Sequence, residues 1–251
     1  MKITFLGTAA GVPVANRECS SAIVSVADSK YVIDLGAPIL SRLSDFGLSD
    51  SGIRAVFVTH IHSDHMIYTP NFIKGINDRE EYTHKTVRYY FPEPFFIYTL
   101  VNFYSSVIGD VRAEKNQFFT YSAGVVYSDE NITVRAFPNA HMANKKRPSY
   151  SLLIEGDGKR VLFSGDLSQA LSKGDFPSYP IENSVDALVL EFAHFMVDDM
   201  LPYLEKCNTG RLVFNHLSRF EEKKPLILEL SDSGKLPYHI SYASDGEVVE
   251  V

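Results

Sequence analysis

Potential metal ligands are densest in residues 59–65, where the 251-residue sequence reads Thr-His-Ile-His-Ser-Asp-His. Three imidazoles and one carboxylate fall within six residues, directly after the apolar run of residues 55–58. Without a cation, such a group would leave polar atoms partly buried and unpaired, which costs free energy. Around metal ions the same donors are satisfied, and imidazole with carboxylate suits zinc, manganese or iron. A chain that turns here from extended to helical lets the first two histidines face one ion and the later Asp-His pair face another; the four residues are His60, His62, Asp64 and His65.

The pattern His-x-His-x-Asp-His resembles the signature of the metallo-β-lactamase superfamily. The resemblance implies three further ligands at the ends of later strands, namely a His, an Asp and a final His. Three residues stand in that order, each after a β-rich run: His141, Asp166 and His216. Carried over position by position, the resemblance assigns His60, His62 and His141 to the first ion, Asp64, His65 and His216 to the second, and Asp166 to a bridge between both.

The implied cofactor is a pair of divalent metal ions, with zinc expected and manganese or iron as alternatives. Two cations roughly 3.5–4 Å apart lower the pKa of a shared water and neutralise the charge that builds on a phosphoryl or carbonyl oxygen. Within the resemblance, a bridging aspartate such as Asp166 marks hydrolases of phosphodiesters and thioesters. His62 stands where the flavodiiron oxygen reductases of this superfamily usually have Glu, which disfavours redox chemistry.

Two segments are similar to the ribonuclease Z branch and its cyclic-phosphate phosphodiesterase relatives: the glycine loop of residues 7–13 and residues 213–220 around His216. Bacterial ribonuclease Z would carry a long tRNA-binding arm between its third histidine and its aspartate, yet His141 and Asp166 are only 25 positions apart. The branch's His-Ser-Thr segment ahead of the last ligand is also missing. The formal net charge is −7, whereas an extended nucleic-acid surface needs clustered Lys and Arg. The predicted substrate is therefore a small or cyclic phosphodiester or a nucleotide, and RNA is not favoured.

Candidate catalytic groups follow the apolar run of residues 187–190, where Glu191 precedes His194 by three positions. In phosphodiesterases similar to this branch, a His or Glu near this place acts as general acid or orients one. We therefore predict that His194 protonates the leaving alkoxide with Glu191 beside it, and we name Asp64 as a third catalytic candidate. Arg17 and Arg219 are candidate phosphate contacts.

Three other functions stay open on the sequence alone. A ribonuclease Z-like RNA 3′-processing endonuclease and a thioester hydrolase of the glyoxalase II type would use the same ligand set. A non-catalytic relative would use the fold for binding only, but all seven ligand positions are filled, which disfavours this alternative. A nucleotide-sized pocket with an acid at His194 favours a phosphodiesterase, and a narrow pocket without a phosphate-facing Arg favours a thioesterase.

The elements that must position these residues are short β-rich runs alternating with helical segments. Continuously apolar runs such as residues 55–58 and 187–190 are typical of strands covered on both faces. Helices are predicted over residues 38–46, 198–207 and 221–231, and an α-helical insertion over about 68–116, which is rich in Tyr and Phe. Because no linker or low-complexity tract interrupts the chain, we predict one α/β domain over residues 1–251, folded as a four-layer αββα sandwich.

The composition of the chain limits the cellular location and the partners that can be expected. Two cysteines, Cys19 and Cys207, are too few for a disulfide framework, which fits a reducing, cytoplasmic location. The first seven residues read as a strand ending in a turn glycine, so no signal peptide is expected, and no apolar run approaches the ~20 residues of a membrane span. The aromatic residues between 89 and 98 suit either core packing or self-association, which makes the chain a candidate homodimer.

Overall fold

The computed structural model describes residues 1–82, 84–168 and 175–251, and their strands form two seven-stranded sheets. The strands of the first sheet are Lys2–Gly7 (β1), Ser21–Val26 (β2), Ser29–Ile33 (β3), Ile53–Phe57 (β4), Val87–Phe91 (β5), Asn116–Thr120 (β6) and Val248–Glu250 (β14), in the spatial order β14-β1-β2-β3-β4-β5-β6. The strands of the second sheet are Gly124–Ser128 (β7), Ile132–Pro138 (β8), Tyr150–Gly156 (β9), Lys159–Phe163 (β10), Ala187–Phe192 (β11), Arg211–Leu217 (β12) and His239–Tyr242 (β13), in the order β13-β12-β11-β10-β9-β8-β7.

The central strands are apolar without interruption because both of their faces are covered. In β4, Ala55 and Phe57 belong to the core that also takes in strands of the second sheet, whereas Val56 belongs to a separate outer core. In β10, Val161 joins the core between the sheets, and Leu162 points to the outer core on the opposite side. Each strand thus contributes alternate side chains to two cores, as the sequence pattern predicted.

Helices cover the outer face of each sheet. The helices over the first sheet are Ile39–Asp45 (α1), the single turn Ser63–Met66 (α2), Thr69–Asp78 (α3) and Pro94–Val107 (α4). Those over the second sheet are Tyr179–Glu182 (α5), Val197–Leu204 (α6) and Phe220–Asp232 (α7). The predicted four-layer αββα sandwich is confirmed, and the three helices predicted over residues 38–46, 198–207 and 221–231 correspond to α1, α6 and α7.

The segment 68–116 departs from the predicted helical insertion. It contains α3 and α4, but between them β5 pairs in parallel with β4 and continues the first sheet, and β6 begins at its end. Two of the aromatic side chains that suggested a helical covering, Tyr89 and Phe91, are fully buried from β5. The segment is therefore partly an integral portion of the sheet, because aromatic residues suit a half-covered strand as well as a helix.

Helix α4 buries only one of its faces. Phe96, Leu100 and Tyr104 pack on the first sheet, whereas Phe95 and Tyr98 are 67% and 68% exposed. The helix carries no charged residue, so self-association through this face stays a prediction, which sedimentation velocity would test. In the part of the chain that the structure describes, none of the helices combines the length and hydropathy that a bilayer crossing requires.

The residues named as ligands lie at or after the ends of strands at one edge of the sandwich. Strands β3 and β4 are parallel neighbours in the first sheet, and β10, β11 and β12 are parallel neighbours in the second. Within each sheet the carboxyl ends therefore lie at one edge, where ligand sites form in sheets of this kind, and a bridge between Ala9 and Leu217 joins the two edges. The topology thus brings together side chains that are up to 156 positions apart, since His60 follows β4 and His216 lies in β12.

Candidate active site

Three histidines and one aspartate form the first of two clusters at this edge. The Nδ1 atom of His62 lies 3.0 Å from His60 Nε2 and 3.1 Å from His141 Nε2. Oxygen Oδ2 of Asp166 lies 3.8 Å from His60 Nε2 and 3.7 Å from His141 Nε2. One nitrogen or oxygen atom from each of these four residues thus lies within 4.8 Å of every other, a spacing in which a cation can contact all four.

Asp64, His65 and His216 form the second cluster, beside the first. Oxygen Oδ2 of Asp64 lies 3.8 Å from His65 Nε2 and 3.6 Å from His216 Nε2. The carboxylate of Asp166 also faces this cluster, because its Oδ1 lies 3.3 Å from His65 Nε2 and its Oδ2 lies 3.2 Å from His216 Nε2. The structure therefore brings all seven sequence-predicted ligands together and places Asp166 between the two clusters, while their binding of metal stays a prediction.

Unpaired buried atoms test whether these residues fit a pair of cations. Among the described residues, His65 Nε2 and Asp166 Oδ1 are buried and have no hydrogen-bond partner. Buried polar atoms are rarely left unpaired, because each costs free energy that a partner would recover. A cation at the second cluster would satisfy both atoms, and the four donors of the first cluster lie close enough together to contact another, so the donor set fits two divalent metal ions. The charge of this carboxylate also suits a cation. Burial raises the pKa of Asp166, but the effect of the neighbouring His216 and His65 is larger and holds the pKa well below its ordinary value.

Asp34, a residue without a predicted role, orients one ligand of the second cluster. Its Oδ2 lies 2.7 Å from Nδ1 of His65, and its Oδ1 accepts a hydrogen bond of 2.7 Å from the amide of Thr59. The first contact fixes the proton of His65 on Nδ1, so Nε2 is the nitrogen available to a metal. Asp34 has a φ of 62°, a conformation that non-glycine residues adopt at a cost and that clusters at functional sites. The available signal was a carboxylate directly after the apolar strand β3.

Asp34→Asn is expected to weaken metal binding about 10–100-fold, the usual effect of losing a carboxylate that orients a metal-bound imidazole. The side-chain amide introduced by the substitution can donate a hydrogen bond to His65 Nδ1. It would thus favour the tautomer with the proton on Nε2, the nitrogen that the metal needs. Titration of the metal-free protein with zinc, followed by competition with a chelator, would measure the affinity. Asp28→Asn, in the exposed turn between β2 and β3, is the control, and equal affinities in both variants would rule out the orienting role of Asp34.

Glu191 and His194 form a pair beside the two clusters. Glu191 Oε1 lies 2.7 Å from His194 Nδ1 and also accepts from the amide of Leu167 at 2.9 Å, while Oε2 accepts from the amide of Ala193 at 2.7 Å. The carboxylate is 3% exposed and is therefore held rigidly. Burial lowers the pKa of His194, but the hydrogen bond and charge of Glu191 outweigh it, so the pKa is raised above its ordinary value. The His194 ring lies 5.0 Å from that of His141 and 6.4 Å from that of His216, measured between centroids.

The chain is similar to several known proteins. Residues 1–86 match the family described as "Anti-Pycsar protein Apyc1". Ribonuclease Z of Mycobacterium bovis is 25% identical over 183 residues, which cover 66% of this chain and 62% of that protein. The chain thus spans about three fifths of the length of the curated relatives it matches. In solved structures, the metallo-beta-lactamase fold protein YhfI from Bacillus subtilis superposes with a TM-score of 0.77 at 19% identity, covering 99% of both chains. Human tRNase Z, short form, superposes with a TM-score of 0.71 at 18% identity, covering 100% of this chain and 99% of the other.

The chain is a metallo-β-lactamase-fold protein. Ribonuclease Z is among its sequence relatives, in agreement with the similarity to that branch predicted from the glycine loop and the segment around His216. In this metallo-β-lactamase-fold protein the glycine loop also contacts the site, because the amide of Gly11 donates a 2.7 Å hydrogen bond to Asp64 Oδ2. The loop therefore helps to fix a predicted ligand.

The two arginines named as phosphate contacts have other partners. Arg17 is 8% exposed, its guanidinium lies 4.0 Å above the ring of Phe220, and it donates to the carbonyl oxygens of Thr8 and Ala243. Burial lowers the pKa of Arg17, and its guanidinium is engaged by these two carbonyl oxygens and the Phe220 ring. Arg219 lies at the surface and pairs with Glu222 at 3.3 Å. Neither arginine contacts the two clusters of this metallo-β-lactamase-fold protein.

Proposed function

We propose that this protein is a dinuclear metal-dependent hydrolase that cleaves a small or cyclic phosphodiester. The observation that carries the proposal is the position of Asp166 between two histidine-containing clusters, with a carboxylate-held histidine, His194, beside them. Similarity to ribonuclease Z supports the same bond type, because RNA is a phosphodiester polymer. Zinc is the cation we propose, and manganese and iron are alternatives with the same ligand preferences.

Each predicted ligand has a stated role in this proposal. His60, His62 and His141 would hold the first cation, Asp64, His65 and His216 the second, and Asp166 would contact both. Such a pair supplies a nucleophile at neutral pH and stabilises negative charge on the phosphoryl group. The Asp34 carboxylate keeps His65 in its binding tautomer, and the Gly11 amide keeps Asp64 in place, so the site is preorganised before substrate arrives.

His194 is proposed as the general acid. Its Nδ1 is engaged by Glu191, which leaves Nε2 to carry the proton that a leaving alkoxide needs. Because three amides also donate to the Glu191 carboxylate, the dyad keeps its geometry without support from the substrate; the donors are Leu167, Ala193 and His194. Asp64, the third residue named as catalytic, acts in this proposal as a ligand only.

His194→Ala is expected to lower turnover of a phosphodiester about 10²–10⁴-fold, the range that general acid catalysis contributes. Metal content should not change, because His194 belongs to neither cluster. Steady-state kinetics with an alkyl ester, together with elemental analysis, would measure both. The control is His239→Ala, since His239 is exposed on β13. Unchanged turnover in His194→Ala with every diester tested would remove this residue from the mechanism.

A substrate panel tests the proposed function. We expect the zinc-loaded protein to hydrolyse bis(p-nitrophenyl) phosphate and a cyclic nucleotide, and to leave a glutathione thioester intact. Cleavage of the thioester alone would move the assignment to a thioesterase of the glyoxalase II type. Cleavage of a precursor tRNA in preference to the small diesters would favour RNA 3′ processing, for which the 25% identity to ribonuclease Z is the supporting observation.

A further inference from the structure

A basic turn lies at the mouth of the candidate site, directly after His141. The 3₁₀ turn Ala143–Lys145 is followed by Lys146, whose φ of 53° ends it. Residues 143–147 are exposed, whereas the neighbouring Met142 is 1% exposed and anchors the turn. This geometry points the Lys145 side chain at the first cluster, where its Nζ lies 3.3 Å from His62 Nε2.

The three consecutive cations of this turn differ in their partners. Arg147 Nε lies 3.7 Å from Oε1 of Glu93 and is thereby compensated. Lys145 has no carboxylate partner among residues 1–82, 84–168 and 175–251, and its ammonium contacts the imidazole of His62. Lys146 is exposed, and its ammonium makes no hydrogen bond or ion pair with the described residues of the clusters. Lys145 is thus the cation of this turn that faces the site.

The contact between Lys145 and His62 depends on which nitrogen of the imidazole is protonated. His62 turns Nδ1 toward His60 and His141, so Nδ1 is the atom that would bind a cation. A neutral imidazole that binds metal through one nitrogen carries its proton on the other. Nitrogen Nε2 is then a donor and cannot accept a hydrogen bond from Lys145. In the metal-loaded protein the ammonium would therefore lack an acceptor at this place.

We infer that Lys145 binds an anionic phosphate group of the substrate at the mouth of the site, next to the first cluster. This inference rests on the proposed function for the identity of the substrate as a phosphate ester. A positive charge beside two bound cations is electrostatically unfavourable unless an anion lies between them, and a phosphate oxygen supplies both the charge and the acceptor. Lys145 therefore selects for an anionic substrate in a chain whose net charge of −7 would otherwise repel one.

The test compares Lys145→Gln with Lys146→Gln, which removes a neighbouring exposed charge from the same turn. In Lys145→Gln we expect kcat/KM for bis(p-nitrophenyl) phosphate to fall about tenfold, mainly through KM, as expected for the loss of one charge-assisted hydrogen bond. Lys145→Arg should restore most of the loss, and Lys146→Gln should match the unchanged protein. Metal content should be equal in all variants. A 5′-phosphorylated dinucleotide, compared with the unphosphorylated one, shows whether a second phosphate is also bound. An equal loss with both compounds assigns Lys145 to the reacting phosphate, and a larger loss with the phosphorylated compound shows that Lys145 also contacts a second phosphate.

Binding of inorganic phosphate to the metal-loaded protein provides a readout that does not require turnover. We expect its Kd, measured by calorimetry, to rise about tenfold in Lys145→Gln and to stay constant in Lys146→Gln. If no diester is hydrolysed but phosphate binding still depends on Lys145, the proposed function fails while the role of Lys145 in binding phosphate stands. Equal phosphate affinity in Lys145→Gln and the unchanged protein overturns the inference, whatever the enzyme hydrolyses.

Discussion

Asp166→Ala is expected to abolish binding of the cation pair and to lower diester hydrolysis by about 10²–10⁴-fold. The carboxylate is 3% exposed and faces both clusters. Its removal takes away the negative charge that the histidines of the two clusters share. Removing one partner of a buried charge cluster costs about 3–5 kcal/mol. A rise of that size in the activation free energy lowers the rate by the stated range. Elemental analysis after dialysis and kinetics with bis(p-nitrophenyl) phosphate would measure the two effects.

The control for Asp166→Ala is Asp198→Ala, which removes an exposed carboxylate at the start of α6. Circular dichroism of both variants shows whether the sandwich still forms, so a folding defect is separable from the loss of metal. If Asp166→Ala kept the metal content and turnover of the unchanged protein, the clusters would not share a bridging ligand and the assignment of Asp166 would be wrong.

Gly36→Ala is expected to destabilise the protein by about 3 kcal/mol or more, the upper end of the cost of overpacking. A Cβ atom at Gly36 would lie 1.8 Å from the carbonyl oxygen of Asp64 and 2.8 Å from that of Ser20, both of which are backbone atoms. The neighbouring Leu35 amide also donates to the carbonyl of His65, so displacement of this segment moves two predicted ligands. Thermal unfolding should show a midpoint lowered by roughly 6–12 °C, and zinc affinity should fall with it.

Gly158→Ala is the matched control for the glycine substitution. Gly158 has a φ of +68° in the turn between β9 and β10, but an added Cβ would meet no atom within 4 Å. The expected cost is therefore only about 1 kcal/mol of backbone strain, with zinc affinity unchanged. Equal midpoints for the two variants would show that the contact between Gly36 and the ligand segment does not constrain the site.

Much of the site was predictable from the sequence because its ligands stand directly after or within buried strands. Residues 55–58, directly before the segment 59–65, are apolar on both faces of the strand. The polar residues of the segment that follows do not contribute to apolar packing at the sheet edge. His141, Asp166 and His216 were individually unremarkable, and the superfamily resemblance, not their local pattern, brought them into one set. The structure then places these residues beside residues 60–65, at the edge where parallel strands end.

What the sequence did not indicate depends on contacts between distant residues. Asp34 and His65 are 31 positions apart, and Lys145 and His62 are 83 positions apart, so neither contact has a local signature. Strand β5 was missed for a related reason. Its aromatic side chains are compatible with a helix or a strand, and only the parallel pairing with β4 and β6 decides between them.

The position of the cations in the zinc-loaded protein tests the central claim most directly. Anomalous diffraction at the zinc edge would locate them in a crystal. We predict two peaks per chain, one among His60, His62 and His141 and one among Asp64, His65 and His216, with Asp166 in contact with both. A single peak, or peaks away from these two clusters, would contradict the assignment of a dinuclear centre and with it the proposed hydrolytic function.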